Sequence, residues 1–295
     1  MNKLITVIGT TASGKSDLAI ELAKYFDAEI VSADSRQIYR GLDLGTGKVT
    51  AEEQAEVKHH LIDILDPNSP YSVAEFQEDA YKAIDAIIAK GKLPILCGGT
   101  GLYSRAVVEG YDFNSAPPSD EIRKDLADKS REELLVMLSE KGINDVDPQK
   151  SCRHLIRMLE KLSAGQSHVP ENKPRYDVLQ LGLTYDRPIL LERIKKRLEI
   201  RIDMGMIKEV EDLLKNGATP EFLEGLGLEY RYTYRYVSGQ YESYGEYFDQ
   251  LNTEINKFSK RQMTWFRKEK NVLWLDVNSN FLNDAIIAVN EFLNK

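Results

Sequence analysis

The spacing of apolar positions changes along the chain, and the changes mark out its elements. Residues 3–8 (Lys3-Leu4-Ile5-Thr6-Val7-Ile8) alternate little and are rich in β-branched side chains, as in a strand buried on both faces of a parallel sheet. A glycine-rich turn follows. Over residues 15–24, Leu18, Ala19, Leu22 and Ala23 then recur at helical spacing. Short strands are expected at residues 29–32, running out into Ala33-Asp34, and at residues 61–65. Residues 73–90 read as a long amphipathic helix with Phe76, Ala80, Ile84, Ile87 and Ile88 on one side, closed by Gly91. A fourth strand, residues 93–97, ends in Gly98-Gly99-Thr100-Gly101. Strands alternating with helices predict an α/β fold, a parallel sheet with helices on both faces.

The pattern changes near Asn114. Ala116-Pro117-Pro118-Ser119 reads as a linker, and Ser130 with Glu133 forms a capping-box pattern ahead of Leu134, Leu135 and Leu138. Asp147-Pro148 predicts the start of another helix, whose apolar face is Leu155, Met158, Leu159 and Leu162. Residues 166–174 are polar and contain proline, and read as a second linker, after which strand character returns over residues 176–183. The expected organisation is a helical insertion domain, residues 114–175, within an α/β core domain made of residues 1–113 and 176–295. Beyond Asp186 the pattern is mostly helical, up to a last strand at residues 272–275 and a closing helix.

Composition adds exclusions. The 295 residues are 42% hydrophobic and 29% charged, ordinary for a globular protein. No apolar run approaches the roughly 18 residues a membrane-spanning helix needs, so no membrane partner is expected. The apolar run at the N-terminus is too short for a signal peptide, and the expected compartment is the cytoplasm. Two cysteines, Cys97 and Cys152, exclude a disulfide framework and a cysteine-based zinc site. A net charge of −8 by itself argues against a nucleic-acid partner. Local clusters argue the other way. Residues 187–201 carry Arg187, Arg193, Lys195, Lys196, Arg197 and Arg201 against two glutamates, and residues 254–270 carry Lys257, Lys260, Arg261, Arg267, Lys268 and Lys270 against two more. Such runs are ordinarily solvated helix faces, and they gain meaning only if they converge on a site.

The strongest chemical signal is Gly9-Thr10-Thr11-Ala12-Ser13-Gly14-Lys15-Ser16, which fits G-x-x-x-x-G-K-[ST] between a predicted strand and a predicted helix. Backbone N–H groups and a helix N-terminus would cradle phosphate there, Lys15 would neutralise it, and the Ser16 hydroxyl would ligate Mg²⁺. The fold class is therefore P-loop NTPase-like. The loop specifies a diphosphate or polyphosphate and names no acceptor. A P-loop kinase would place an acid at the end of a neighbouring strand, but the strand at 93–97 ends in glycines. Asp34, at the carboxyl end of the second strand, is either a base facing the crevice or the cap of the turn at residues 35–39; spacing does not decide between them. The pair His59-His60 lacks a third ligand and reads as structural rather than metal-binding. The tyrosines at 230, 232, 234, 236, 241, 244 and 247 read as helix packing with polar tips, base stacking being the sharper alternative.

Taken together, these motifs resemble the tRNA dimethylallyltransferase (tRNA isopentenyltransferase) family over nearly the whole chain. The resemblance rests on the loop at 9–16 and on Ser32-Ala33-Asp34-Ser35-Arg36-Gln37-Ile38-Tyr39-Arg40-Gly41. It continues through His59-His60-Leu61-Ile62-Asp63, Tyr71-Ser72-Val73-Ala74-Glu75-Phe76 and Gly98-Gly99-Thr100-Gly101-Leu102-Tyr103. In the second half it takes in Arg157-Met158-Leu159-Glu160 and Lys260-Arg261-Gln262-Met263-Thr264-Trp265-Phe266-Arg267. It implies transfer of a dimethylallyl group from dimethylallyl diphosphate, with Mg²⁺, to the exocyclic N6 amine of the adenosine 3′-adjacent to the anticodon, in tRNAs reading codons that begin with U.

In that reading the loop at 9–16 holds the diphosphate, Asp34 takes or orients the proton of the amine, Thr100 stands near the diphosphate and the flipped base, and Arg197 stabilises the leaving group. Arg193 and Arg201 compete for the last role. The resemblance assigns contacts with the tRNA anticodon stem-loop to Asp34, Ser35, Arg36, Gln37, Thr100, Arg123, Arg153, His154, Leu155, Ile156, Arg157, Lys260, Arg261, Gln262 and Trp265. It implies a monomer of the bacterial form.

The chain departs from the family's usual spelling at Thr10, Gly47, Val49, Lys58, Arg153 to Met158 and Gly227-Leu228-Glu229-Tyr230-Arg231. Three other readings compete: an isopentenyltransferase acting on free adenine nucleotides, which would not need the basic C-terminal half; a small-molecule kinase, weakened by the missing strand-end acid; and a non-catalytic RNA binder gated by a nucleotide.

Overall fold

The computed structural model describes residues 1–113, 119–148, 150–166 and 172–295. They divide into two compact units, Met1–Val108 with Arg175–Lys295, and Glu109–Pro174. Of the linkers expected at 116–119 and 166–174, residues 116–118 and 167–171 lie outside the described residues.

The larger unit begins with β1 (Asn2–Ile8), α1 (Lys15–Phe26), β2 (Ala28–Ser32), α2 (Ala51–Glu56), β3 (His59–His60), α3 (Val73–Ala89), β4 (Leu93–Gly98) and α4 (Gly101–Glu109). The smaller unit holds α5 (Asp120–Leu126), α6 (Arg131–Glu140) and α7 (Cys152–Ser163). The chain then returns to the sheet with β5 (Tyr176–Thr184) and α8 (Arg187–Asp203). It continues through α9 (Met206–Lys215), α10 (Pro220–Leu226), α11 (Leu228–Val237) and α12 (Tyr244–Phe266), and closes with β6 (Val272–Asp276) and α13 (Phe281–Leu293).

All six strands are parallel, in the order β3-β2-β4-β1-β5-β6. The central strand β1 is buried from Leu4 onward because both its faces are covered. On one face Ile5, Val7, Ile95 and Leu181 pack with Leu18 and Leu22 of α1 and Ala285 and Val289 of α13. On the other, Leu4, Val31 and Leu96 meet Phe76, Ala80 and Ile84 of α3 and Tyr103 of α4. The stripe that predicted α3 is the stripe it buries, and Ser72 and Glu75 form its capping box. Because the strands are parallel, the segments after β1, β2 and β4 all emerge at one edge, where parallel sheets bind ligands.

Two sequence expectations are corrected. Residues 61–65 are not a strand: the ladder to β2 is made by His59 and His60, and Leu61 and Asp63 have φ of 60° and 55°, which no strand accommodates. Only Leu65 makes a bridge there, to Tyr39. The helix expected from Asp147-Pro148 begins instead at Cys152, with Ser151 as its N-cap residue. Its apolar face is as predicted, with Leu155, Met158 and Leu159 buried against Leu126, Leu134 and Leu138.

The smaller unit is tied by one acid. Glu160 of α7 accepts from Ser119 N (3.1 Å), from Arg123 Nε (2.8 Å) and from Arg157 Nη1 (3.0 Å). Burial pushes this carboxyl up, but the bonds from Arg157, Arg123 and the Ser119 amide outweigh burial and hold it below the usual glutamate range. A lowered carboxyl pKa stabilises fully above the unfolded value, about 4.3, and loses its effect as pH falls. Glu160→Ala is therefore expected to destabilise these helices by about 2 kcal/mol at neutral pH. Hydrogen exchange of the α5–α7 amides checks this, and the difference from wild type should shrink as pH drops below 4.

Candidate active site

The loop after β1 is shaped by two residues in the left-handed backbone region. Ala12 and Gly14 take φ of 60° and 81°, which turns the chain back so that α1 starts at Lys15. Lys15 Nζ lies 3.4 Å from the Thr10 carbonyl, Thr11, Lys15 and Ser16 face the cavity, and Ser13 is buried in the loop's interior. Burial pushes the Lys15 ammonium below its ordinary pKa, and the guanidiniums of Arg197 and Arg201 add to the effect. An anion placed there would reverse that cost.

Beside it, the segment after β2 holds Asp34. Its Oδ1 accepts from Arg36 N at 2.9 Å, so it caps the turn at residues 35–38, and Asp34 also lines the cavity. The cap uses one carboxylate oxygen, so capping the turn does not keep Asp34 from facing the cavity. Thr100 Oγ1 accepts from Ser35 N at 3.1 Å and so ties the segment after β4 to the one after β2. Gly98 is required at this junction: a Cβ there would overlap the Ala33 carbonyl. That is the physical reason why β4 ends in glycine and carries no acid.

The three candidate arginines of α8, spaced by four residues, separate by partner. Arg193 stacks on Tyr185 at 5.0 Å and donates to the Ala12 carbonyl at 3.0 Å, bracing the loop from outside the cavity lining. Arg201 is buried and pairs with Glu229 at 3.3 Å. Arg197 lines the cavity and has no ion pair among the described residues. Burial, and then the neighbouring Arg201, push its guanidinium down to about 10. The Glu229 carboxyl, largely withdrawn from water beside these arginines, is raised by desolvation, against the pull of Arg201.

Gln262 of α12 closes the floor. Its Oε1 accepts from Thr11 N at 2.8 Å, and its Nε2 donates to the Gly99 carbonyl at 2.9 Å. One turn on, Trp265 packs where a Cβ on Gly101 would sit, and it carries Arg105 over its ring at 4.7 Å. Tyr230, Tyr232, Phe258 and Leu228 complete an aromatic and apolar wall of a cavity of about 530 Å³.

Asp34, Ser35, Arg36, Gln37, Thr100, Arg197, Arg261, Gln262 and Trp265 thus line one cavity with Thr11, Lys15 and Ser16. Lys260 is exposed on α12 outside that lining. In the smaller unit Arg153 and His154 are exposed, and Arg123 and Arg157 are engaged with Glu160. The expectation for Leu155 is corrected: its side chain is fully buried in that unit's core and presents no surface to a ligand. Sequence reasoning missed Glu229, Phe258 and the turn at Gly45 and Gly47, which also belong to the lining. The departures from the family's spelling at Gly47 and at 227–231 were signals for that turn and for Glu229, and nothing in the sequence marked Phe258. His60 Nε2 lies 2.7 Å from Glu29, and His59 Nδ1 lies 2.8 Å from the Val57 carbonyl. Among the described residues no three His, Cys, Asp or Glu side chains gather to hold a metal, and no helix is long and apolar enough to cross a membrane.

A parallel sheet with a glycine-rich loop after its central strand, and cavity-facing groups at the ends of β2 and β4, defines a P-loop NTPase-like fold. The IPP transferase family model matches residues 37–269, and the chain belongs to that family. It is 45% identical over 277 residues to tRNA dimethylallyltransferase 2 of Treponema denticola, covering 90% of this chain and 92% of the relative. It is 43% identical over 295 residues to tRNA dimethylallyltransferase 2 of Shewanella sediminis, covering 96% of each. The crystal structure of the tRNA isopentenylpyrophosphate transferase of Bacillus halodurans superposes with a TM-score of 0.76 at 33% identity, covering 100% of this chain and 96% of that one.

The overlap at Gly98 yields a test of the junction. Gly98→Ala must part the ends of β2 and β4, and is expected to cost about 1–3 kcal/mol. Thermal unfolding measures this, and a wild-type midpoint would mean that the two strand ends separate freely.

Proposed function

We propose that the chain transfers the dimethylallyl group of dimethylallyl diphosphate to the exocyclic N6 amine of the adenosine 3′-adjacent to the tRNA anticodon, releasing diphosphate. The observation that carries this reading is a single cavity with phosphate-binding and cationic groups, Lys15 and Arg197, a carboxylate, Asp34, and an aromatic wall. A kinase needs the first two; an alkyl transfer to a base uses all of them.

In this reaction the amine nitrogen attacks C1 of the prenyl group. The C–O bond breaks, and its electron pair leaves on the diphosphate. Amide groups of the loop at 9–16, with Lys15 and Arg197, stabilise that charge as it develops. The amine proton passes to, or is oriented by, the Asp34 carboxylate, an aid typically worth about 10²–10⁴-fold. Thr100 keeps Asp34's segment in place through Ser35. Ser16 lines the cavity beside Lys15, and its hydroxyl would hold Mg²⁺ there. So few protein oxygens suit that ion, which is generally bound by one or two protein groups together with phosphate. When bound, it would neutralise charge on the diphosphate.

The base must leave the anticodon stack to reach the cavity. Ser35, Arg36, Gln37, Arg261, Gln262 and Trp265 are the groups that would meet it or its neighbours, with Lys260 exposed on the same helix to meet backbone phosphate. In the smaller unit, residues 109–174, Arg153 and His154 offer exposed groups to RNA, and Arg123, Ile156 and Arg157 stand beside them. The reading places the enzyme in the cytoplasm as a monomer.

The test mixes the protein with Mg²⁺, dimethylallyl diphosphate and either unmodified tRNA or AMP, and weighs the products by mass spectrometry. A gain of one prenyl unit on tRNA alone supports the reading; a gain on AMP, or on neither, overturns it. Asp34→Asn is expected to lower turnover by about 10²-fold or more while tRNA affinity holds; loss of both together would make Asp34 a cap and nothing more. Arg261→Ala is expected to weaken tRNA binding and reduce its salt slope by about one, which a binding series from 50 to 200 mM salt reads directly.

A further inference from the structure

Glu209 lies on α9, outside the cavity lining. Its carboxylate is nevertheless the most heavily bonded acid near the site. Oε2 accepts from Asp43 N (3.0 Å) and Leu44 N (2.7 Å). Oε1 accepts from Gly45 N (3.1 Å) and from the Tyr230 hydroxyl (2.7 Å). Three successive amides turned to one carboxylate make an anion nest, and the anion it holds is the protein's own.

The turn that Glu209 holds shows its carbonyls to the arginines. Arg201 Nη1 lies 3.4 Å from the Gly45 carbonyl, and Arg197 Nη2 lies 3.5 Å from the Gly47 carbonyl, which also accepts from Gln37 Nε2 at 3.3 Å. Both arginine contacts are at the long limit of hydrogen bonding, so the shape of the turn matters more than their individual strength. Gly47 has φ of +58°, and a Cβ on it would overlap the guanidiniums of both Arg197 and Arg201. Next to it Lys48 Nζ donates to the Tyr39 carbonyl at 2.9 Å and pairs with Asp43 and Asp63, which pins the far end of the turn.

We propose that Glu209 and Gly47 are positioning residues for the leaving-group arginine. Glu209 sets the turn through its amides, and Gly47 leaves the space in which the guanidiniums of Arg197 and Arg201 lie side by side. Arg201 also lines the cavity but is paired with Glu229, so Arg197 is the one of the two that meets the diphosphate with no ion pair of its own among the described residues. The inference rests on the proposed function, in which Arg197 meets the diphosphate.

The test uses inorganic pyrophosphate with Mg²⁺ as the probe, by calorimetry, on the full chain and on Glu209→Ala, Glu209→Gln, Gly47→Ala and Arg197→Ala. Gly47→Ala and Glu209→Ala are each expected to weaken pyrophosphate binding about tenfold. They should also lower kcat while KM for tRNA stays unchanged. Glu209→Gln, which keeps one acceptor oxygen, should fall between wild type and Glu209→Ala. The deciding readout is coupling: in an Arg197→Ala background, Glu209→Ala or Gly47→Ala should cost clearly less than in the wild type, because part of each effect passes through that arginine and only the part through Arg201 remains. Full additivity with Arg197→Ala, or wild-type pyrophosphate affinity in both single variants, overturns the inference. If Glu209→Ala does not fold, Gly47→Ala and Glu209→Gln carry the same comparison. A wild type that neither binds pyrophosphate nor prenylates tRNA defeats the proposed function itself, and this inference with it.

Discussion

One buried carboxamide holds the two ligand loops in register. Gln262 takes the Thr11 amide on its oxygen and gives its N–H to the Gly99 carbonyl, so the loop after β1 and the loop after β4 are fixed by the same planar group. The contact to Gly99 is buried and the one to Thr11 part-buried, and a polar group left unpaired in such a place costs about 1–3 kcal/mol. The group comes from α12, which also supplies Phe258, Arg261 and Trp265 to the cavity. Docking this helix therefore brings the aromatic wall to the phosphate loop and closes the floor in one step.

The sheet makes that economy possible. β1 lies between β4 and β5, with β2 beyond β4, so the phosphate loop, Thr100 and Asp34 emerge side by side from neighbouring strand ends. Gly98 lets β4 come close enough to β2 for Thr100 N to donate to the Ala33 carbonyl at 3.3 Å and for Ser35 N to reach Thr100 Oγ1. These contacts are made by backbone and short side chains, which lose little conformational freedom.

How much of this is legible in sequence depends on whether a feature is local. The loop at 9–16 is contiguous, and its glycine, lysine and serine carry the chemistry themselves, so the chain alone discloses it. Arg193, Arg197 and Arg201 are also local, yet spacing by four puts all three along one helix side. Only their partners, the Ala12 carbonyl with Tyr185, the Gly47 carbonyl, and Glu229, tell them apart. Glu229 and Tyr230 lie in the stretch that departs from the family's spelling. There the departure marked a wall of the site without saying so. Glu209 had no signal, since what makes it matter is a turn some 165 residues away. The strand read at 61–65 failed for the opposite reason: its apolar residues are real, but Leu61 and Asp63 turn into left-handed conformations that no hydropathy pattern encodes.

The cavity is polarised along the turn at residues 99–101, and this orders the proposed chemistry. A Cβ on Gly99 would stand 3.5 Å from Lys15 Nζ, and one on Gly101 would strike Trp265, so the turn passes from the cationic end of the cavity to its aromatic end within three residues. At the cationic end Lys15 and Arg197 are held uncomfortably by burial, Arg201 is already answered by Glu229, and the unmet charge favours an anion of high density. At the aromatic end Trp265 and Phe258, with Arg105 and Arg261 lying on their rings, would offer apolar faces to a hydrocarbon chain and a purine. Thr100 stands between the two ends and is bonded to Ser35, the neighbour of Asp34. A carboxylate fixed at that junction is where a proton would have to be managed if an amine lying against the aromatic wall attacks a carbon whose leaving group lies against Lys15. Electrostatics and packing thus agree on where the bond would form.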